Sequence, residues 1–375
     1  MMNFPIIMGI TSGAAFLLGF LLIAHSGKVN VTANRYLGLF VITLGLAMIE
    51  VPLFYQKIHL KYPALFEMIG LVRFLTAPFL YISILCFTSF EKKIKKKYVW
   101  HFLPFLIFCV FRFPFFITGK NFEFSDETAK VVFFILKIAL PLQTIIYWCL
   151  SFTRLQHHLK NIHRFTSSTE GINLSWLKSF LLVLLFILIA WFNLVFFNLD
   201  DLIQFTPFID LFSVFFLAYF SLQQKEVFDF SKSELNDLSG IKTDKKEPSK
   251  RVSEERLNEL NQKLQLLIEE EKLYLDNDLS LPKLAGNLNA SCNETSFVIN
   301  ELYGDNFYNF INKYRIEKAK SLLLSEKYNQ LNILGIAYES GFNSKTTFNT
   351  TFKKNTGFSP TEFVKLHSGA AGKEL

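Results

Sequence analysis

The chain has 375 residues, of which 51% are hydrophobic and only 19% are charged, and its formal net charge is +7. Together with 44 phenylalanines, this composition excludes an ordinary soluble globular protein. The excess of apolar residues predicts segments that are embedded in a membrane.

Seven stretches in the first 222 residues are long and apolar enough to cross a bilayer of about 30 Å as helices of about 20 residues. They are predicted at 4–24, 35–55, 64–90, 98–117, 130–153, 175–197 and 203–222. The first stretch is not expected to be a cleaved signal peptide, because it lacks a basic region and the chain after it is again hydrophobic. Residues 1–222 are therefore predicted to form a seven-span membrane domain.

Basic residues are distributed unevenly over the loops between these stretches. If the N-terminus lies outside, the inner loops hold ten Lys and Arg residues and the outer loops hold four. Basic loops stay in the cytoplasm. The pattern predicts a multi-pass protein of the cytoplasmic (inner) membrane, with its N-terminus outside and, after an odd number of spans, its C-terminal domain in the cytoplasm.

Five ionisable residues lie within or at the edge of the apolar stretches: Glu50, Glu67, Arg73, Lys137 and Asp210. An ionised side chain in a bilayer must find a partner, a cavity or the interface. Two interpretations stay open, namely pairing or snorkelling that serves packing, and a pocket that senses a signal. The five residues are the candidates for sensing a small ligand or a membrane protein partner.

A solvated linker is predicted at 223–252, because residues 223–250 hold six basic and six acidic residues and few large apolar ones. A lead-in helix at 253–276 carries Leu257, Leu260, Leu264 and Leu267, spaced like a coiled-coil seam. The seam either forms a homodimer or packs onto its own domain. A tail is predicted at 368–375, after a domain at 277–367.

The first half of that domain reads as a helix-turn-helix unit. Ser280 opens a short helix, Ser291 and Glu294 form a capping box for the next, and Gly304 ends it. The second helix is expected to bury Thr295, Val298, Ile299 and Leu302 and to turn outward Asn293, Ser296, Phe297, Asn300 and Glu301. A linking helix from Asn306 to about Ser325 follows, with a basic flank of Lys313, Arg315, Lys318 and Lys320.

The second half of the domain has the same pattern of two helices joined by a short turn. One helix carries Ile333, Ile336, Ala337 and Ser340, Gly341 ends it, and Ser344 caps the next helix. Phe348 and Phe352 are expected on the buried side, with the polar side chains on the outward face: Lys345, Thr346, Asn349, Thr350 and Lys353. Gly357 and a capping box from Ser359 to Glu362 then start another helix. Two such units can read two successive major-groove segments of double-stranded DNA.

Residues from about Leu279 to Phe363 resemble the DNA-binding domain of AraC-type transcription regulators, and Glu269 to Asp276 resembles the lead-in often found before it. The resemblance rests on Ile336-Ala337, Gly341-Phe342, Ser344, Phe348, Phe352-Lys353-Lys354, Gly357 and Ser359-Pro360. It implies base contacts from Asn293, Ser296 and Phe297 in the first unit and from Lys345, Thr346, Asn349 and Thr350 in the second. Lys353 completes the set of candidate DNA-binding residues.

The sequence gives little support for metal binding or catalysis. The four cysteines lack metal-ligand spacing, and glycine-rich phosphate loops, HExxH and GxSxG are absent, so neither an enzyme nor a cofactor or metal site is expected. His157, His158 and His163 are expected in a solvated or lipid-facing inner loop rather than in a metal site. Residues 251–375 hold 15 basic and 16 acidic residues, whereas from Leu279 onward 11 basic residues face 8 acidic ones. The part of the chain that is predicted to bind DNA is thus only modestly basic.

The predicted class is all-α: a seven-transmembrane-helix bundle followed by a soluble double helix-turn-helix domain. The predicted function is a membrane-bound regulator of transcription that binds promoter DNA in a sequence-specific manner, with the membrane domain as sensor or anchor. The linker is expected to pass a change in helix packing to the DNA-binding domain. The alternative is a transporter or receptor whose cytoplasmic helix-turn-helix units are a protein-interaction module. Expected partners are double-stranded DNA, the lipid bilayer, a second copy of the chain, and a small ligand or membrane protein.

Overall fold

The computed structural model describes residues 4–24, 29–89, 96–119, 125–168, 172–196, 200–227, 253–325 and 331–368. Within these ranges the regular structure is helical, and the extended pairing is one isolated bridge. The chain divides into two compact units, one of residues 1–158 and 174–227 and one of residues 159–173 and 228–375. The predicted all-α class is confirmed. The predicted linker lies mostly outside the described residues, as does all but the first residue of the predicted tail.

The first unit contains seven helical stretches that are long and apolar enough to cross a membrane. Their existence confirms the seven predicted stretches, and α6 is longer than predicted. The helices are α1 (Phe4–Ala24), α2 (Val31–Tyr55), the short α3 (Ile58–Lys61), α4 (Pro63–Phe87), a 3₁₀ turn (Lys96–Phe102) that leads into α5 (Leu103–Thr118), α6 (Asp126–Asn161), α7 (Ser175–Phe196) and α8 (Asp200–Gln223).

Helices α1 and α2 approach each other closely through glycines. A Cβ atom built on Gly38 would lie 2.8 Å from the Gly19 carbonyl oxygen, and one built on Gly19 would lie 3.0 Å from the Gly38 carbonyl oxygen. Ser12 adds a hydrogen bond from its hydroxyl to the Gly45 carbonyl, at 2.9 Å. Small residues at a helix crossing allow backbones to pack at van der Waals distance, which is a common device where lipid supplies no hydrophobic driving force.

The second unit contains the C-terminal helices α9 to α15, which we call the head. They are α9 (Glu254–Gln265), extended by a π turn (Leu266–Glu270) and a 3₁₀ turn (Leu273–Leu275), then α10 (Leu281–Asn287), α11 (Cys292–Tyr303), α12 (Phe307–Leu323), α13 (Ile333–Glu339), α14 (Lys345–Thr356) and α15 (Pro360–Ser368). Residues 159–173 belong to the same unit and include a 3₁₀ turn (Ile162–Arg164).

Serine and asparagine side chains start the helices of the head, as the sequence indicates. The hydroxyl of Ser253 accepts the Arg256 N–H, and Ser280, Asn306 and Asn332 each accept a backbone N–H three residues later. Each cap satisfies a donor that has no partner within its own helix. The caps therefore define where each helix begins, independently of how the helices pack.

The leucine stripe of the lead-in helix packs onto its own domain. Leu260 and Leu264 are fully buried and Leu267 is 8% exposed in a single copy of the chain. The Tyr303 hydroxyl donates to Asn261 Oδ1 at 2.8 Å and adds a polar contact between α9 and α11. This arrangement favours the second of the two interpretations of the seam, because a buried stripe presents no coiled-coil surface to a second copy.

Four side chains lie elsewhere than predicted. Arg315 is completely buried rather than part of a basic flank, because backbone carbonyls surround its guanidinium. Leu302 is 42% exposed rather than buried, since the core ends before the last turn of α11. His158 is buried and the ring of His163 packs on Tyr308 with centroids 4.4 Å apart, so these histidines do not lie in a solvated loop.

Gly341 is a position where the head tolerates no side chain. Its φ is +86°, and an added Cβ would lie 2.6 Å from the Tyr274 carbonyl oxygen and 3.0 Å from Arg315 Nε. An alanine here would have both the strain of a left-handed backbone and the overpacking of its methyl group. Because the two free-energy costs are additive, we expect Gly341→Ala to destabilise the head by about 2–4 kcal/mol. Hydrogen exchange of residues 253–368 in the purified full chain measures the loss.

Gly357→Ala is the matched control. Its φ is +82°, but an added Cβ meets nothing within 4 Å. Only the backbone strain of about 1 kcal/mol remains. Equal effects of the two substitutions would contradict the close approach at Gly341.

Candidate nucleic-acid interface

Helices α13 and α14 form the second helix-turn-helix unit. Gly341 supplies the left-handed residue between them, and Ser344 accepts the Thr347 N–H at 3.2 Å to start α14. Ile336 and Ala337 on α13 are fully buried, so the small alanine lies where the two helices approach. The predicted tight turn between two crossing helices is present.

A row of phenylalanine rings fixes the rotation of α14 about its axis. Phe342, Phe348, Phe352 and Phe363 follow each other with ring centroids 5.3, 5.5 and 5.4 Å apart. Phe348 and Phe352 are completely buried in the core they form with α12 and α13. Because these two rings must face inward, the opposite face of α14 is held outward.

The outward face of α14 lines a shallow concavity of about 590 Å³. Four candidate residues line it, Lys345, Asn349, Thr350 and Lys353. Its other walls are Ile333, Lys354 and the start of α15, Ser359, Pro360 and Thr361. The sequence did not single out Lys354 or the start of α15 as part of the site; their nearness follows from the turn at Gly357.

Asn349 is a half-buried side chain in the wall of this concavity. Its Oδ1 atom is buried in this conformation and has no hydrogen-bond partner among the described residues, so the amide must rotate outward to reach a base edge. An asparagine amide can pair with both the acceptor and the donor of an adenine edge, and lysines can contact phosphates or guanine. The concavity thus offers one group suited to a base edge, flanked by cations.

Helices α10 and α11 form the first unit, and its turn passes through Asn289, whose φ is 50°. The Ser291 hydroxyl accepts the Glu294 N–H at 3.2 Å while the Glu294 carboxylate accepts the Ser291 N–H at 2.8 Å. These hydrogen bonds from Ser291 hold the pKa of Glu294 below its usual value. The predicted capping box is present, and it keeps its carboxylate ionised at neutral pH.

The outward face of α11 is polar but carries no cation. Asn293 and Glu301 are exposed, while Ser296 and Phe297 are half-buried. Asn300 donates to the Ser296 carbonyl at 2.7 Å and lies within 3.3 Å of its hydroxyl. Because Lys345, Lys353 and Lys354 all lie on α14, the positive charge of the two recognition-type helices is concentrated in the second unit.

Three of the five candidate residues in the long apolar helices, Glu50, Glu67 and Arg73, take part in ion pairs among the described residues. The Arg73 guanidinium pairs with the Glu50 carboxylate, and Arg112 pairs with Glu67 at 2.6 Å. Arg73 and Asp210 line one cavity of about 370 Å³ in the N-terminal compact unit, which contains α1 to α8. The side chain of Lys137 lies outside the described residues.

Comparison with known proteins supports this interface. Residues 284–365 match a protein family described as a helix-turn-helix domain. The C-terminal domain of AraT, a response regulator from Geobacillus stearothermophilus, is 32% identical over 29% of this chain and 84% of its own length, with a TM-score of 0.26. No curated protein matches the chain.

The C-terminal part of the chain is therefore a helix-turn-helix domain by fold and by sequence. More closely, residues 284–365 belong to the AraC-type helix-turn-helix domains, as the sequence resemblance indicates. This membership supports a DNA-binding regulator. The individual contact residues in both units stay predictions.

Removing single lysines from α14 tests the charge asymmetry. We expect Lys345→Ala and Lys353→Ala each to reduce the slope of log affinity against log salt by about 1. Lys353→Ala should weaken binding about equally on all DNA sequences, whereas Lys345→Ala should weaken binding most on the preferred sequence, because Lys345 is assigned to a base edge. Titrations of the full chain with labelled duplex at several salt concentrations measure the slope.

Lys263→Ala is the control for this series, because Lys263 is an exposed lysine on α9 that pairs with Glu259. It should leave the slope unchanged. A slope that is insensitive to Lys345 and Lys353 would mean that α14 does not lie against phosphates.

Proposed function

We propose that the chain is a membrane-embedded, one-component regulator of transcription that binds promoter DNA in a sequence-specific manner. The observation that carries the proposal is the combination, in one chain, of an AraC-type helix-turn-helix domain and seven helices apolar enough to span a bilayer. We expect it to have no enzymatic activity and no cofactor. The basic inner loops favour a cytoplasmic position for the head, where DNA is accessible.

The two helix-turn-helix units supply different parts of DNA recognition. Base readout is assigned to Asn293, Ser296 and Phe297 on α11 and to Lys345, Thr346, Asn349 and Thr350 on α14. Lys353, beside them in the concavity, contacts phosphate. Because the cations of the two recognition-type helices all lie on α14, α14 contributes most of the electrostatic affinity and α11 contributes mainly selectivity.

The membrane unit is proposed to sense a small ligand through its cavity. The walls are mostly apolar, and a volume of about 370 Å³ suits a molecule of modest size. The lining also includes the polar residues Arg73, Thr76, Ser151 and Asp210. A largely apolar ligand with one or two hydrogen-bonding groups would match a lining of this composition.

The roles of the charged pairs in this sensor follow from their partners. Glu50 pairs with Arg73, so the guanidinium has a partner of opposite charge within its apolar surroundings. Glu67 and Arg112 hold α4 and α5 together. Lys137 and Asp210 complete the candidate sensing residues, and of these Asp210 lies on the cavity wall.

Selection of random duplex DNA by the full chain in lipid nanodiscs tests the DNA-binding proposal. We expect enrichment of a site with two half-motifs about one helical turn, roughly 34 Å, apart. Asn349→Ala should relax one half-motif and leave the other intact. Uniform, salt-sensitive binding without enrichment would contradict sequence-specific recognition.

Filling the cavity tests the sensor. Ala77 lines it, so Ala77→Trp should exclude a ligand and hold a reporter driven by the selected site at one level across growth conditions. The DNA affinity of the purified variant should stay within twofold of wild type. Leu17→Trp is the control, since Leu17 is 61% exposed on α1. A reporter that still responds normally in Ala77→Trp would contradict the assignment of this cavity.

A further inference from the structure

Residues 159–173 connect the fifth and sixth predicted membrane spans in sequence, yet they are part of the same compact unit as the head. We call them the 159–173 segment. The described part of this segment is well buried, since Ile162 and Phe165 are each 4% exposed and Ser167 is fully buried. A loop that merely crossed between two helices would leave such residues to solvent.

The segment pairs with the backbone just before the first helix-turn-helix unit. Thr166 and Ser280 form an antiparallel bridge. The Ser167 N–H and hydroxyl both donate to the Leu279 carbonyl, at 3.3 and 2.6 Å, and the Leu281 N–H donates to the Phe165 carbonyl at 3.0 Å. Leu281 is the first residue of α10, so the segment satisfies one of the N–H groups that a helix start leaves without a partner.

The segment also completes the surroundings of a buried charge. Arg315 on α12 donates from Nε to the Tyr274 carbonyl and from Nη2 to the Asp276 carbonyl, each at 2.7 Å. Two further hydrogen bonds reach Ser167, from Nη1 to the carbonyl at 3.3 Å and from Nη2 to the hydroxyl at 3.0 Å, and Nη1 also donates to Asn312 Oδ1 at 3.5 Å. Asn312, also buried, donates to the Ser167 carbonyl at 3.1 Å.

Burial lowers the pKa of the Arg315 guanidinium to about 10, so the group is still charged at neutral pH. A buried cation that loses some of its acceptors is strongly destabilised. Removing Ser167 from its place would take one acceptor from each of two Arg315 nitrogens and the Ser167 carbonyl from the buried Asn312 amide. The head therefore depends on the segment for a satisfied interior.

Contacts of the segment reach the second unit as well. The Ser168 hydroxyl donates to Asn343 Oδ1 at 2.7 Å, in the turn between α13 and α14. His163 packs edge-on against Tyr308, whose hydroxyl lies 3.0 Å from Thr351 Oγ1 on α14. The segment thus touches the first unit, the linking helix α12 and the turn of the second unit.

None of these contacts uses a residue assigned to DNA. Asn293, Lys345, Thr346, Thr350 and Lys353 are all exposed while the segment is in place. The segment therefore holds the two units in a fixed relation and leaves their outward faces free. An arrangement of this kind favours binding to two half-sites at once, since each unit then finds its groove segment without reorganisation.

We propose that the 159–173 segment is a docked part of the DNA-binding head that fixes the relation between its two helix-turn-helix units, so that the docked state is the one competent to bind two half-sites. The proposal rests on the proposed function. The input from the membrane spans then acts through this segment, which is joined directly to two of them, rather than through the linker at 223–252. A change in the spans that withdraws the segment lowers two-site affinity.

Substitutions in the segment test the proposal in the full chain in lipid nanodiscs. Phe165→Ala removes a buried ring, and Ser167→Ala removes the hydroxyl that joins Leu279 to Arg315. We expect each to lower the affinity for the selected two-half-motif duplex at least tenfold. Affinity for duplexes that hold a single half-motif should fall less than twofold. Arg164→Gln, at an exposed position of the segment, is the matched control and should change neither affinity.

Hydrogen exchange shows whether the segment is docked, independently of DNA. The Leu281 and Ser167 amides donate across the contact, so both should exchange slowly in wild type and faster in Phe165→Ala. The amides of α14 report whether the head itself remains folded, and they should stay protected.

Failure of this inference can be told apart from failure of the proposed function. If wild type selects a two-half-motif site and the undocked Phe165→Ala binds it equally well or more tightly, the inference is wrong and the proposed function stands. Fast exchange of the Leu281 amide in wild type would also overturn it. If wild type selects no site at all, the proposed function itself fails.

Discussion

The hydrogen bonds of the buried Arg315 guanidinium are the interactions on which the head depends. Its donors reach carbonyls at Tyr274 and Asp276 in the lead-in turn and both polar atoms of Ser167. A buried charge of this kind adds little stability over an apolar core, but losing any partner is costly, so it specifies one arrangement. Gly341 lies against the same group. One side chain thus joins the lead-in, the linking helix, the turn of the second unit and the 159–173 segment.

Much of the head could be predicted because its signals are local. Ser291 with Glu294, and Ser344 before α14, mark helix starts through hydrogen bonds between residues three apart. The spacing of Phe348 and Phe352 then determines which face of α14 is outward. These features need only the geometry of a helix, so a single sequence contains them.

The environment of Arg315 could not be predicted, because a lysine-rich helix flank and a buried arginine have the same periodicity. What buries Arg315 is the carbonyl of Ser167, 148 positions away in sequence. His163 has the same difficulty, since its packing against Tyr308 depends on a tertiary contact. The leucines of α9 were compatible with a homodimer seam and with packing onto their own domain for a related reason. A leucine stripe predicts that one helix face is buried, but it does not predict which surface covers that face.

The cavity among the apolar helices likewise depends on contacts between residues that are distant in sequence. Asp210 on α8 and Arg73 on α4 line the same space, whereas the sequence placed them only in separate spans. The candidates Glu50 and Glu67 have arginine partners, which agrees with the pairing interpretation, whereas a sensing role for the charged residues stays a prediction. The proposed function combines a ligand-sensing cavity among the apolar helices with a two-part DNA reader in the head.

The measurement that tests this account most directly is cross-linking of DNA to the full chain in living cells, followed by isolation of the membrane fraction and sequencing of the DNA recovered with the protein. The account predicts that the intact chain in the membrane fraction carries a small set of promoter fragments that share a two-part motif. Recovery of those fragments only with a soluble C-terminal piece, or of unselected DNA, would contradict a regulator that reads promoters from within the membrane.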